Sequence, residues 1–210
     1  MTHIELSGFG INCKSTIIKI LYDMIPNSLP IYSDSDIITD MYSRYWASWE
    51  PEDRCRFRYH QIESMYRSFG ETHHLLVDRG IIDQVIFAQM IDKGYLSRSV
   101  WIPEEMGQLS DDYSFIDDYI PYEVKYPFKR FFIYNNNIEL VERVLTDEKE
   151  KNVEKRSYFY KTVDEYMELQ NKFWELYDNN IHQYTCYHIW NDCPVEESLK
   201  SIVEGILSTL

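Results

Sequence analysis

No stretch of this 210-residue chain stays apolar for the roughly 18 residues that a membrane-crossing helix needs. Its opening, Met1-Thr2-His3-Ile4-Glu5, lacks the basic-then-apolar pattern of a secretory leader. Positive charge is scarce: 21 Lys and Arg stand against 35 Asp and Glu, for a net charge of −14. No basic run relieves that balance, so duplex nucleic acid, which needs a field of the opposite sign, is disfavoured as a partner. The four cysteines, Cys13, Cys55, Cys186 and Cys193, form no C-x-x-C, and Cys186 to Cys193 is a poor metal spacing. This usage predicts reduced thiols in a cytoplasmic compartment rather than a disulfide framework. Glycine and proline are few, at seven each, and no internal repeat, linker or metal-ligand cluster interrupts the chain.

The content is that of a globular protein, 44% hydrophobic and 27% charged, long enough to bury a sizeable core. Eighteen tyrosines stand out, yet biased base composition and half-buried surface account for them as well as any function does. Short apolar stretches read as strands at His3–Ser7, Leu29–Tyr32, His74–Asp78, Arg130–Tyr134 and Tyr187–Trp190. Helices are predicted from Lys14 to before Pro26, with Ile17, Ile18, Ile20, Leu21 and Met24 turned inward. Others are predicted at Ile37–Trp49, Pro51–Phe69, Ile82–Lys93, Val100–Tyr119, Ile138–Leu145, Tyr158–Asn179 and Val195–Leu210. Strands alternating with helices predict an α/β fold, a parallel sheet covered on both faces.

One stretch carries chemistry. Leu6-Ser7-Gly8-Phe9-Gly10-Ile11-Asn12-Cys13-Lys14-Ser15-Thr16 follows the first strand and opens the first helix. It matches the phosphate-loop pattern G-x-x-x-x-G-K-[ST], except that Cys13 stands where the second glycine belongs. In that reading the loop N–H groups and the helix N-terminus face phosphate, Lys14 reaches the β- and γ-phosphates, and Ser15 holds Mg²⁺. A side chain at position 13 either crowds the phosphates or resists a positive φ. The competing reading is an ordinary strand–loop–helix corner.

The chain resembles the P-loop nucleoside and nucleotide kinases, the deoxynucleoside kinase/thymidylate kinase group above all, from Ile4 to about Ile206. The resemblance rests on "LSGFGINCKST", "FRYHQIESMYRSF", "LLVDRGIIDQVIFAQMIDKGYLS", "FFIYNNNIELVERVL", a charged stretch ending "EKRSYFY", and "YHIWNDCPVEESLKSIV". Each motif is short; their order and spacing carry the likeness. It implies a three-layer P-loop NTPase fold with a parallel five-stranded sheet, in a single domain with a small lid near 146–157. It also implies an ATP- and Mg²⁺-dependent phosphotransferase acting on a (deoxy)nucleoside or its monophosphate. Departures are Cys13, Asp34-Ser35-Asp36 where such kinases end a strand in Glu-Pro, a shorter helix after Asp78-Arg79, and a lid less rich in arginine.

The resemblance assigns catalytic roles to Lys14, Asp34, Asp36, Asp78 and Arg79. Asp34 or Asp36 would accept the proton of the acceptor hydroxyl, the other capping the helix that begins at Ile37. Arg79 would bridge phosphates, and Asp78 would orient Mg²⁺ with Ser15. ATP would contact Gly8, Phe9, Gly10, Ile11, Asn12, Cys13, Lys14, Ser15 and Thr16, with Arg143 and Arg156 from the lid and Asp192 from the adenine-side loop. The acceptor would meet Gln61, Arg67, Asp83, Tyr42 and Trp46. For Gln61 and Arg67 a plain surface position competes, and for Tyr42 and Trp46 a core one. His73, His74 and His188 adjoin strands and read as structural. A homodimer through helices between Ile82 and Tyr119 is a further implication. Two other functions stay open: a kinase of a different hydroxyl, including a modified base in DNA, and a nucleotide-binding regulator in which Cys13 marks lost catalysis.

Overall fold

The structure, a computed structural model, describes residues 1–31, 51–96, 128–150, 160–180, 186–191 and 195–210. Asp34, Asp36, Tyr42, Trp46, Arg156 and Asp192 lie outside the described residues, as do the expected helices at 37–49 and 100–119 and most of the expected lid. Among the described residues are five strands, β1 (His3–Ser7), β2 (Ser28–Ile31), β3 (His74–Asp78), β4 (Phe128–Asn135) and β5 (Cys186–Asn191). Six helices accompany them: α1 (Lys14–Met24), α2 (Pro51–Phe69), α3 (Ile81–Asp92), α4 (Ile138–Glu150), α5 (Val163–Asn180) and α6 (Val195–Leu207). The strands form one parallel sheet in the order β2-β3-β1-β4-β5.

Side-chain alternation along the strands divides two cores. Ile4 and Leu6 of β1, Leu76 of β3 and Phe131 and Ile133 of β4 pack with Ile17, Ile18 and Leu21 of α1 and Ile202, Val203 and Ile206 of α6. Leu75, Val77, Phe132 and Tyr134 point the other way, into a larger core with α2, α3, α4 and α5. Pro30 sits in β2, an edge strand, where its missing N–H breaks no interior ladder.

Helix ends depart from the sequence reading for local reasons. Met24 is 53% exposed rather than inward, because α1 ends there and Ile25 takes the buried place. Ser28 donates to the carbonyl oxygen of Ile25 at 2.7 Å, tying the chain after the helix. α5 starts at Val163, not Tyr158: Thr162 Oγ1 accepts from Glu165 N–H at 3.2 Å, and Glu165 accepts from Lys161 N–H at 2.6 Å. Thr162 is the N-cap, and Glu165 reaches one residue past it, to the N–H just before the cap. α4 continues to Glu150, so the first residues of the expected lid extend a helix.

Candidate active site

α1 covers one face of the sheet and α3 the other, although they follow the neighbouring strands β1 and β3. Adjacent strands whose connections leave on opposite faces open a crevice at their carboxyl ends, where ligands of α/β sheets bind. The loop 8–13 and the pair Asp78-Arg79 both lie there, and Arg79 N–H donates to the carbonyl oxygen of Leu6 at 2.9 Å.

Lys14 is 5% exposed and folds over the loop. Its ammonium donates to the carbonyl oxygens of Gly8 and Phe9, both at 2.8 Å, and to Asn12 Oδ1 at 2.6 Å. The Asn12 amide also donates to the carbonyl oxygen of Ile133 at 3.1 Å, so it links β4 to the lysine. Ser15 Oγ donates to a carboxylate oxygen of Asp78, which is 3% exposed at the end of β3. A hydroxyl and a carboxylate in contact at the crevice are hard oxygen donors of the kind Mg²⁺ takes, in ones and twos, together with phosphate oxygens and water. Among the described residues no cluster of three or more His, Cys, Asp or Glu forms a metal cage. One hydroxyl and one carboxylate are a donor set that fits an ion delivered with a nucleotide.

Cys13 answers the loop's missing glycine directly. It adopts φ 57°, the left-handed region, and Ile11 does the same at φ 47°. Each such conformation costs an L-residue roughly 1–2 kcal/mol. Thus the side chain does not forbid the turn; the loop takes it at a cost. Arg79, at φ 60°, is a third strained position, and its guanidinium lies 5.1 Å from the Phe87 ring centroid. Gly8, at φ 130°, has no room for a Cβ, which would stand 2.5 Å from the Ile133 carbonyl oxygen. Phe9 turns inward among Phe87, Tyr160, Tyr166 and Phe173, with ring centroids about 6 Å away, leaving only its backbone to the loop face.

Two residues expected at the acceptor have protein partners of their own. Asp83, in the first turn of α3, is fully buried; its carboxylate accepts from Ser7 Oγ at 2.7 Å and from Gly8 N–H at 3.2 Å. It braces the loop's entry from beneath rather than facing an acceptor. Burial, and then the charge of Glu5, push its carboxyl up to about 6, against the pull of Ser7, Lys14 and Arg79. Arg67 is exposed near the end of α2 and pairs with Glu63 at 2.6 Å. Its neighbour Tyr66 packs edge-on against His3 and Phe128, the first residues of β1 and β4, so Arg67 lies at the amino edge of the sheet, opposite the crevice. Gln61, half-buried on α2, is about 9 Å nearer the carboxyl edge by helical rise. Thr16 is exposed in the first turn of α1, and Arg143 is exposed on α4.

Several residues around the site escaped the sequence reading. Glu5, on the central strand, is fully buried and accepts from Arg130 Nε at 3.1 Å. A Cβ at Gly80 would stand 2.1 Å from its Oε2. The signal was the polar series His3, Glu5, Ser7 along one face of a strand with partners on both sides. Tyr166, Asn135 and Gln170 also touch the loop or one another (Tyr166 Oη to the Gly10 carbonyl oxygen at 2.8 Å, Gln170 Nε2 to the Asn135 carbonyl oxygen at 2.9 Å). Their signals were the Asn run after β4 and the four-residue spacing on α5.

No family model matches the sequence, and no curated protein matches it. Solved structures do. The deoxyadenosine kinase of M. mycoides with bound dATP aligns at 12% identity and a TM-score of 0.58, over 99% of this chain and 100% of that one. The same enzyme with products dCMP and dCDP aligns at 12% identity and a TM-score of 0.57, over 99% and 100% of the two chains. The thymidylate kinase of Candida albicans aligns at 11% identity and a TM-score of 0.55, over 99% of this chain and 92% of that one. The likeness covers nearly the whole chain, and with the crevice described above it gives this protein the fold of the deoxynucleoside and thymidylate kinases.

Proposed function

We propose that this protein is an ATP-dependent phosphotransferase that moves the γ-phosphoryl to a (deoxy)nucleoside or a (deoxy)nucleoside monophosphate. The observation that carries the reading is the contact of Ser15 with Asp78 beside Lys14, at the carboxyl ends of β1 and β3. Phosphoryl transfer asks mainly for positioning and charge neutralisation, and these groups supply both. Lys14 would exchange its loop carbonyl partners for phosphate oxygens, a trade of neutral acceptors for charged ones that favours binding. Ser15 and Asp78 would hold Mg²⁺, which when bound draws off phosphate charge. Arg79, held at the crevice by its N–H bond to Leu6, would face the transferring group. Asp34 or Asp36 would take the acceptor proton; both follow β2, whose carboxyl end opens on the same side as that of β3. Arg143, Arg156 and Asp192 would close over the nucleotide. Gln61, Tyr42 and Trp46 would line the acceptor side.

The fold of neighbours that bind dATP, dCTP and dCMP supports nucleotide chemistry without choosing the base. Transfer of labelled γ-phosphoryl from ATP to a panel of nucleosides, monophosphates and DNA tests the reading. Transfer to a nucleoside or monophosphate is the expected result. Transfer to DNA alone, or saturable ATP binding with no transfer, would replace it with one of the other two functions. No described helix is long and apolar enough to cross a membrane. A homodimer through the helices of 82–119, which belongs to the same reading, is tested by sedimentation equilibrium.

A further inference from the structure

We infer that Tyr166 and Asn135 are positioning residues that hold the phosphate loop, from outside it, in the left-handed shape a glycine at position 13 would allow unaided. Strained backbone persists only where its surroundings over-determine it. Here the Tyr166 hydroxyl donates to the carbonyl oxygen of Gly10 at 2.8 Å, and Asn135 Nδ2 donates to that of Ile11. Gln170 fixes Asn135: its amide accepts from Asn135 N–H at 2.8 Å and donates to the Asn135 carbonyl oxygen at 2.9 Å, while its Oε1, 3.1 Å from the Tyr166 hydroxyl, is a second and longer acceptor for that group's one proton. All three residues are fully buried. Burial holds the Tyr166 hydroxyl well above its ordinary pKa, so it remains a donor.

The consequence follows from peptide geometry. In a trans peptide the C=O and the next N–H point in opposite directions. Pinning the carbonyls of Gly10 and Ile11 back towards α5 and β4 turns the N–H groups of Ile11 and Asn12 out towards the crevice. The same two bonds brace the positive φ of Ile11 and, through Asn12, of Cys13. This effect on nucleotide rests on the phosphotransferase reading; the effect on the loop does not.

Tyr166→Phe removes the hydroxyl and keeps the ring against Phe9 and Tyr160. It is expected to raise KM for Mg·ATP about fivefold with kcat within about twofold, the worth of one hydrogen bond of about 1 kcal/mol. Amide exchange of residues 8–13, measured without nucleotide, should speed up by a similar factor and stay unchanged elsewhere. In a Cys13→Gly background the penalty at position 13 is gone while that at Ile11 remains, so the same change should cost less, about two- to threefold, in either readout. A merely structural tyrosine would cost the same in both backgrounds. Equal losses in both, unaltered loop exchange, or exchange rising throughout the molecule would overturn the inference. If exchange behaves as expected while the parent protein neither binds nor uses ATP, the brace stands and the phosphotransferase reading falls.

Discussion

At the scale of one residue, the proposed function gives Lys14 a second task beside the loop bonds it makes, and a substitution separates the two. Removing a preorganised charge at a transferring phosphoryl costs roughly 2.7–4 kcal/mol, so Lys14→Ala should lower kcat about 10²- to 10³-fold. The ammonium also satisfies two loop carbonyls and Asn12, so the same variant should lose about 1–3 kcal/mol of stability. Steady-state kinetics beside urea unfolding reads both; near-normal kcat would remove Lys14 from the phosphate site. Asp83 gives a pH signature. Its carboxyl, at 3.8 in the unfolded chain, sits at about 6 when folded, so the native state holds the extra proton between those values. Stability from this group therefore falls as pH rises from about 4 to about 6 and is level above, by roughly 3 kcal/mol in all. Unfolding of Asp83→Asn against the parent protein should show the difference growing in favour of asparagine across that window. A difference independent of pH would mean that the buried carboxyl does not titrate there.

Elements are joined at positions where no side chain fits, and two glycines show the contrast. At Gly80, the turn between β3 and α3, an added methyl would meet the Glu5 carboxylate at 2.1 Å. Glu5 cannot withdraw without breaking its buried pair with Arg130, so Gly80→Ala should cost about 3–5 kcal/mol in chemical unfolding. Gly205, exposed within α6, has nothing within 4 Å of its missing Cβ. There the alanine should add about 0.5–1 kcal/mol through helix propensity. Equal effects at both sites would show that the β3–α3 corner is looser than its packing implies. The α5 boundary belongs to the same scale: Thr162 is the N-cap, yet the apolar run from Tyr158 suggested an earlier start. Period alone does not decide a helix end; the cap does.

Across the whole molecule, one face of the central strand carries His3, Glu5 and Ser7, all buried. Burial first, then the α-amino group and His74, lower His3 to about 4. A histidine kept neutral contributes stability that is present above 6.5 and lost as pH falls towards 4, again by roughly 3 kcal/mol. The slopes of His3 and Asp83 thus oppose one another between pH 4 and 6. His3→Gln should expose the Asp83 slope, leaving a protein whose stability in that window depends on pH more steeply, in the direction of gain on acidification. Thermal unfolding at pH 4, 5 and 6 checks this, and an unchanged profile would remove His3 from the account.

The sequence by itself determined the strands, the alternation that makes the sheet parallel, and the place of the loop 8–13 between β1 and α1, because each is written in local period and spacing. That Lys14, Ser15 and Asp78 stand at neighbouring strand ends was legible for the same reason: short motifs there define where their side chains begin. Only the tertiary structure decided what Asp83 and Arg67 touch. Asp83 lies 76 residues from the Ser7 hydroxyl it binds, and Arg67 sits on a helix whose direction is set by packing against β1 and β4. It also decided how Cys13 is accommodated. The bonds that brace the loop come from Asn135 and Tyr166, more than 120 residues along the chain, and sequence spacing cannot report a contact that only folding creates.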